Sequence, residues 1–303
     1  MSDVYFNYQF VPLSEAKISI RTNALHYGTG VFEGIRAYWN AQQEQLFVFR
    51  MPDHYERMLR NCRLLKLRLE KDVKELCEIT LELLRRNGSR EDTYIRPIAY
   101  VCSEGLGPKL IGYETGFAIY TMPLGEYIDV SKGIKVGFSS WRRISDTAIP
   151  ARCKITGGYV NSALAKTEAV EQGYDEAIFL TGNGFISEGS AENIFLIRGG
   201  TLITPDRSAD ILEGITRGVI IKLCRKELDL EVVERPVGRT ELYVADEAFL
   251  CGTGAQVSPI VEVDRRPLGS GTIGPITARI QKLYFEIVKG NHPKYAKWCT
   301  PVY

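Results

Sequence analysis

The chain lacks several features whose absence narrows its possible roles. No stretch approaches the ~18 consecutive apolar residues of a membrane-spanning helix. The opening residues, Met1-Ser2-Asp3-Val4-Tyr5-Phe6, hold no basic stretch ahead of an apolar one, so no secretory signal is expected. Seven cysteines, at 62, 77, 102, 153, 224, 251 and 299, are odd in number and never arranged Cys-x-x-Cys. That pattern suits reduced thiols in a cytoplasmic setting rather than a disulfide framework. Three histidines, at 26, 54 and 292, are too few and too dispersed for a histidine-based metal site, so no metal is expected. A net charge of +1 gives no basic surplus for a phosphate backbone. Neither nucleic acid nor membrane is expected as a partner. Internal repeats and low-complexity tracts are absent.

What remains is a globular composition, 45% hydrophobic and 25% charged, over 303 residues, enough for two domains of ordinary size. Lys17–Arg21 alternates polar and apolar as a half-buried strand does, and Gln45–Arg50 reads as another strand. Pro52-Asp53 then opens a helix with Asp53 at its N-cap. Tyr55, Met58, Leu59, Cys62 and Leu65 form its inner stripe. A second helix turns Val73, Leu76, Thr80, Leu83 and Leu84 inward and ends at Asn87-Gly88. Thr93–Val101 alternates again. These elements make an α/β unit over 1–122. Residues 123–133, with Pro123, Gly125, Gly133 and no clear period, read as an interdomain linker. Beyond it come a strand at Ile134–Ser139 and a helix capped by Asn161-Ser162. A hairpin follows, its strands joined by Thr181-Gly182-Asn183-Gly184. A further strand lies at Asn193–Ile197, a helix starts directly after Gly214, and another helix covers Thr277–Val288.

Lys154 stands out chemically. It lies between a small-residue segment, Pro150-Ala151-Arg152-Cys153, and a Gly157-Gly158 turn. A lysine becomes a nucleophile or Schiff-base former when its ammonium is partly desolvated or faces another cation. Tight apolar surroundings with Arg152 nearby supply both conditions.

Six segments set Lys154 in a pattern: His26 to Arg36 (HYGTGVFEGIR), Tyr94-Ile95-Arg96-Pro97, Lys154 to Leu164, Ile186 to Asn193 (ISEGSAEN), Glu213-Gly214-Ile215-Thr216-Arg217 and Gly252-Thr253-Gly254-Ala255. With these, in this order and spacing, the chain resembles the branched-chain amino-acid aminotransferases, class IV enzymes that use pyridoxal 5'-phosphate and belong to fold type IV. The resemblance covers essentially the whole chain. It implies an α/β (α+β) fold in two domains. The smaller N-terminal α/β domain spans 1–122, with the linker 123–133 after it. The larger cofactor-binding domain spans 134–303 and carries a β-barrel-like sheet and helices.

By this resemblance Lys154 is the catalytic residue. It holds the cofactor as an internal aldimine and moves the proton between the substrate Cα and the cofactor C4′. Glu188 partners the pyridine nitrogen, with Glu192 as the nearby decoy, and Tyr159 hydrogen-bonds the phenolic oxygen. The phosphate falls to Arg57, to Ile215 and Thr216 in the first turn of a helix, and to Thr253. Substrate binding falls to Tyr94 and Arg96, which at i and i+2 on a strand face one side. Gly254 and Ala255 offer backbone amides, and Tyr27, Phe32, Gly34 and Tyr127 form an apolar pocket. A neighbouring subunit's loop, Gly105–Pro108 here, completes the pocket in a homodimer or a multiple of dimers.

The implied reaction moves the amino group of L-leucine, L-isoleucine or L-valine to 2-oxoglutarate, so the partners are small amino acids and 2-oxo acids. Alternatives on the same fold are a D-amino-acid aminotransferase, an (R)-amine transaminase and an aminodeoxychorismate lyase. A different class of alternative is a binding protein on a decayed enzyme fold, against which the combination of Lys154, Tyr159 and Glu188 argues.

Overall fold

The computed structural model describes residues 2–125 and 132–303, so Tyr127 lies outside the described residues. The chain divides into two units. Unit 1 is Met1–Gly125 with Cys153–Gly157 and Glu286–Tyr303; unit 2 is Glu126–Arg152 with Gly158–Phe285. Of the expected linker 123–133, residues 126–131 lie outside the described residues. Cys153–Gly157 and Glu286–Tyr303, expected in the C-terminal domain, belong with unit 1 instead. Both are held by backbone partners distant in sequence, which no local pattern announces.

Unit 1 runs β1 (Asp3–Phe6), β2 (Gln9–Pro12), α1 (Asn23–Tyr27), β3 (Gly30–Phe32), β4 (Ile35–Asn40), β5 (Gln45–Phe49), α2 (Met51–Leu64), α3 (Val73–Arg86), β6 (Thr93–Val101) and β7 (Thr115–Pro123). Its sheet is antiparallel. The order begins with the chain's last strand, Cys299–Pro301, and continues β5, β4, β6, β7, β1, β2, with β3 also paired to β6. On α2 the expected stripe faces inward, with Tyr55, Met58 and Cys62 buried. On α3 Leu76, Thr80, Leu83 and Leu84 do the same, and the Tyr55 hydroxyl bonds that of Thr80. Asp72 and Glu75 close a capping box at the start of α3.

Two local expectations fail here. Lys17–Arg21 is not a strand: Thr22 N–H bonds the Ser19 carbonyl at 3.0 Å, closing a turn, and Ile18 and Ile20 are exposed. Alternation marks a strand only where a neighbouring strand is present to pair with it. Asp53 is not the N-cap of α2. The helix begins at Met51, after Arg50 in the left-handed conformation (φ 52°), because Pro52 is tolerated in a first turn. Asp53 instead accepts from Arg50 Nε at 2.7 Å.

Unit 2 comprises β8 (Ile134–Arg142), α4 (Tyr159–Glu171), β9 (Glu176–Leu180), β10 (Ile186–Gly189), β11 (Asn193–Arg198), β12 (Thr201–Thr204), α5 (Ile215–Glu227), β13 (Val232–Glu234), α6 (Arg239–Tyr243), β14 (Glu247–Gly252), β15 (Gln256–Val263) and β16 (Arg266–Pro267). Most of α7 (Pro275–Val288) completes it. The sheet is mixed, ordered β10, β9, β8, β15, β14, β11, β12, β13, with β16 on β15. Pleating sends alternate residues to opposite faces. Ile178 and Leu180 enter the main core with Ile134, Ile194 and Leu250, while Ala177 and Phe179 pack with Ala165 and Ala169 of α4. The hairpin forms as expected, with Leu180 opposite Ile186 and Gly184 at φ 83°. The helix cap at Asn161-Ser162 does not. Helix α4 starts at Tyr159, and Asn161 lies in its first turn, where its amide accepts from Ile144 N–H and donates to the Arg142 carbonyl, each at 3.0 Å. No helix among the described residues is long and apolar enough to cross a membrane.

The return of Cys153–Gly157 onto unit 1 requires one glycine in particular. Gly28 has φ 62°, and a Cβ there would stand 2.6 Å from the Gly157 Cα. Gly28→Ala should therefore cost about 1–3 kcal/mol of stability. Urea unfolding measures this; an unchanged midpoint would contradict the reading of this seam.

Candidate active site

In unit 1, Lys154 is half-buried on the returning stretch. Its carbonyl accepts from Phe32 N–H at 3.1 Å, and Val31 and Ile155 form a single antiparallel bridge. Gly157 N–H and the Thr156 hydroxyl both donate to the Gly28 carbonyl, at 3.1 and 2.7 Å. Backbone pairing thus fixes where the lysine leaves the chain. Its ammonium lies 5.1 Å from the centre of the Phe32 ring, which Arg96 flanks at 4.5 Å. Arg152, expected to bear on Lys154, is exposed and paired with Asp146 at 3.1 Å and Glu213 at 3.5 Å.

Arg57, on α2, is buried. Its Nε and Nη2 grip both oxygens of Glu33, at 2.7 and 2.8 Å. His54, one helical turn before Arg57, brings Nδ1 to 2.8 Å from the same carboxylate. Burial alone would raise the Glu33 carboxyl, but the Arg57 guanidinium and the His54 contact hold it well below the usual carboxylate range. Burial pushes His54 down, and the cations Arg57 and Lys154 add to that against the pull of Glu33. The neutral ring then donates from Nδ1 to the carboxylate. Asn61, with its amide oriented to satisfy both neighbours, accepts from Lys154 N–H at 3.0 Å and donates to the Arg57 carbonyl at 3.3 Å. Sequence reasoning did not assign Glu33, His54 or Asn61. The available signals were the acidic Glu33 inside the Phe32–Gly34 motif, and the i, i+3 spacing that puts His54 and Arg57 on one helix face.

Tyr94 and Arg96 share a face of β6 as expected, with Arg96 Nη2 donating to the Tyr94 hydroxyl at 2.7 Å. The Arg96 Nε is buried with no hydrogen-bond partner among the described residues. Gly34 is where Tyr94 passes: a Cβ there would stand 2.2 Å from the tyrosine hydroxyl. Phe32 is buried. Tyr27 is exposed, and its hydroxyl accepts from Gly107 N–H at 3.0 Å, in the loop Gly105–Pro108. Asn23 secures the same loop at the carbonyls of Gly105 and Gly107.

In unit 2, Glu188 lies in an irregular stretch of β10 where the register slips between Ile186 and Gly189. Such a bulge re-aims side chains. The Glu188 carboxylate is buried among donors: Arg143 Nη2 at 2.8 Å, Asn193 Nδ2 at 2.9 Å and Leu212 N–H at 3.1 Å. Glu192 sits in a contrasting environment. Burial first, then the like charge of Glu176, push its carboxyl up to about 8. Near neutrality the Glu192 carboxyl therefore keeps its proton, whereas Glu188 is surrounded by donors.

Ile215 and Thr216 open α5, whose N-cap, Gly214, contributes no side-chain bond. First-turn N–H groups have no partner inside a helix and attract anions. Thr253, Gly254 and Ala255 form the turn between β14 and β15, and Tyr159 is the first residue of α4. Tyr94, Arg96, Phe32, Gly34, Arg57 and Lys154 thus fall in unit 1, and Tyr159, Glu188, Ile215, Thr216, Thr253, Gly254 and Ala255 in unit 2.

The Glu192 proton has a measurable consequence. A carboxyl whose folded value is raised keeps its proton between its ordinary value, about 4.3, and about 8 in the folded chain only. Its stabilisation is complete on the acid side and is lost as pH rises through that window. Glu192→Gln, which cannot ionise, should hold its melting temperature at least about 3 °C better than the parent between pH 5 and pH 9. Parallel pH curves for the two proteins would show that Glu192 carries no raised value.

The family model described as Amino-transferase class IV matches residues 30–263. The probable branched-chain-amino-acid aminotransferase of Aquifex aeolicus (strain VF5) is 55% identical over 303 residues, covering 100% of this chain and 97% of that one. The crystal structure of the branched-chain aminotransferase from Thermoproteus uzoniensis with norvaline has TM-score 0.96 and 43% identity, over 100% of this chain and 99% of that one. The T.th. branched-chain amino acid aminotransferase complexed with N-(5'-phosphopyridoxyl)-L-glutamate has TM-score 0.94 and 39% identity, over 100% and 99%. Sequence motifs, fold and whole-length similarity agree that this chain belongs to the branched-chain amino-acid aminotransferases of class IV.

Proposed function

We propose that the chain transfers the amino group of L-leucine, L-isoleucine or L-valine to 2-oxoglutarate in a ping-pong cycle on pyridoxal 5'-phosphate, yielding the 2-oxo acid and L-glutamate. The observation that carries this reading is Glu188, a buried carboxylate held by three donors in a chain that also presents Lys154. The donor set fits the cofactor: a held carboxylate for a ring nitrogen, an arginine and a helix start for a phosphate, and a half-buried amine for an aldehyde. When bound, the cofactor supplies that aldehyde and a protonated ring that withdraws electrons from the substrate's Cα–H bond.

The chain's residues do the rest. Lys154 Nζ tethers the cofactor and moves the proton at the substrate Cα. Glu188 keeps the ring nitrogen protonated, and the Tyr159 hydroxyl orients the ring through its phenolic oxygen. Arg57, the first-turn N–H groups of Ile215 and Thr216, and the Thr253 hydroxyl bind the phosphate. Tyr94 and the amides of Gly254 and Ala255 take the α-carboxylate. Tyr27, Phe32, Gly34 and Tyr127 receive the branched side chain, and Arg96 takes the distal carboxylate of glutamate. The relatives support this dual demand, since norvaline is apolar and the phosphopyridoxyl glutamate carries a distal carboxylate.

We also propose a cytoplasmic homodimer, or a multiple of dimers, in which the loop Gly105–Pro108 completes a neighbour's pocket. Leu106 is 94% exposed and Leu25 on the adjoining α1 is 60% exposed, apolar surface that suits a second copy. None of the seven cysteines is joined in a disulfide, which suits a reducing compartment. Sedimentation equilibrium measures the assembly; a monomer at micromolar concentration would overturn this part.

Lys154→Ala should abolish the visible absorbance of lysine-bound pyridoxal phosphate and lower turnover on the order of 10⁴-fold. An active variant would refute the assignment. Arg96→Leu should lower kcat/KM for 2-oxoglutarate at least about a hundredfold while leaving the L-leucine half-reaction within a few-fold. Equal loss in both half-reactions would show that Arg96 does not serve the distal carboxylate. Preference for D-alanine or (R)-1-phenylethylamine over L-leucine would move the substrate reading to another fold type IV specificity.

A further inference from the structure

Arg57 is held more firmly than a helix arginine requires. Two of its N–H groups lie on the two oxygens of Glu33, at 2.7 and 2.8 Å, and the carboxylate is held in turn by His54 Nδ1 at 2.8 Å. None of the three side chains is more than 6% exposed, and that of Glu33 is fully buried. We infer that Glu33 and His54 are positioning residues that aim the Arg57 guanidinium at the cofactor's phosphate. This rests on the reading of Arg57 as a phosphate ligand.

The physical case is one of orientation against charge. An arginine side chain turns about several bonds, and a phosphate gains most from a fork that is already fixed in plane. Two parallel bonds to one carboxylate fix that plane. The His54 N–H then fixes the carboxylate, because rotation would break both contacts. The Arg57 carbonyl is also tied through the Asn61 amide to Lys154 N–H, so the cluster shares a scaffold with the reactive lysine. Glu33 meanwhile offsets the charge of Arg57. A site built for charge alone would be better without this carboxylate, whereas a site built for directed donors needs it.

The two accounts predict opposite outcomes for Glu33→Gln, which keeps the shape and removes the charge. Holoenzyme would be prepared with pyridoxal 5'-phosphate or with pyridoxal, which lacks the phosphate, and each Kd read from visible absorbance. Positioning predicts that Glu33→Gln weakens pyridoxal phosphate at least about tenfold and leaves pyridoxal within about twofold. Unchanged or tighter binding of pyridoxal phosphate, or equal weakening of both, overturns the inference. His54→Phe should weaken pyridoxal phosphate severalfold in the same selective way, and His54→Asn, which keeps a donor for Glu33, should restore part of the loss. These two variants carry the test if Glu33→Gln does not fold, and no selective loss in His54→Phe overturns the inference. The double variant Arg57→Met with Glu33→Gln, which removes both the cation and its carboxylate, separates the phosphate contact from its positioning. If it leaves the preference for pyridoxal phosphate over pyridoxal intact, Arg57 is not a phosphate ligand and that part of the proposed function fails. If it erases that preference while Glu33→Gln does not, only the positioning role fails.

Discussion

The hydrogen bond from Phe32 N–H to the Lys154 carbonyl, with the Gly28–Gly157 contact beside it, is the constraint on which the site depends. Through it, five residues from the middle of the chain fold with the N-terminal unit. Without it Lys154 would leave the backbone from a loop with no fixed direction. With it, the lysine emerges on the scaffold that carries the Glu33–His54–Arg57 cluster and the Phe32, Tyr94 and Arg96 face. Two glycines make the seam possible, because only bare backbones approach so closely.

Three buried glutamates show how donor supply decides what a carboxylate does. Glu33 faces a guanidinium fork and an imidazole N–H, and stays strongly acidic despite complete burial. Glu188 faces an arginine, an amide and a backbone N–H. Glu192 has one backbone N–H and a like charge nearby, and keeps its proton. Identical side chains thus meet different surroundings: one is gripped by an arginine fork, one is held by three donors, and one keeps its proton. Burial sets the penalty for charge, and the number of donors decides whether it is met.

The sequence made the long elements legible because their periods are strong. The α2 and α3 stripes, the β6 alternation and the Asn183-Gly184 turn each carry their own local signal. Cap positions were less legible: Asp53 and Asn161 have cap chemistry, but one pairs with Arg50 and the other ties down the end of β8. Lys17–Arg21 alternates without a neighbouring strand, so its pattern has no partner to satisfy. The returns of Cys153–Gly157 and Glu286–Tyr303 to unit 1 depend on pairing across more than a hundred residues, invisible to any local window. Within the site, the motif around Phe32 drew attention to its aromatic and glycine residues. Glu33 passed unassigned because its role depends on Arg57, 24 residues away.

The central claim is that Lys154, held by this seam, is the amine that takes the cofactor. It is tested most directly by reducing the protein with borohydride in the presence of pyridoxal 5'-phosphate and locating the adduct by peptide mass spectrometry. The account predicts one adduct per chain, on the peptide containing Lys154. An adduct centred on another lysine, or spread among surface lysines with Lys154 unmodified, would contradict it.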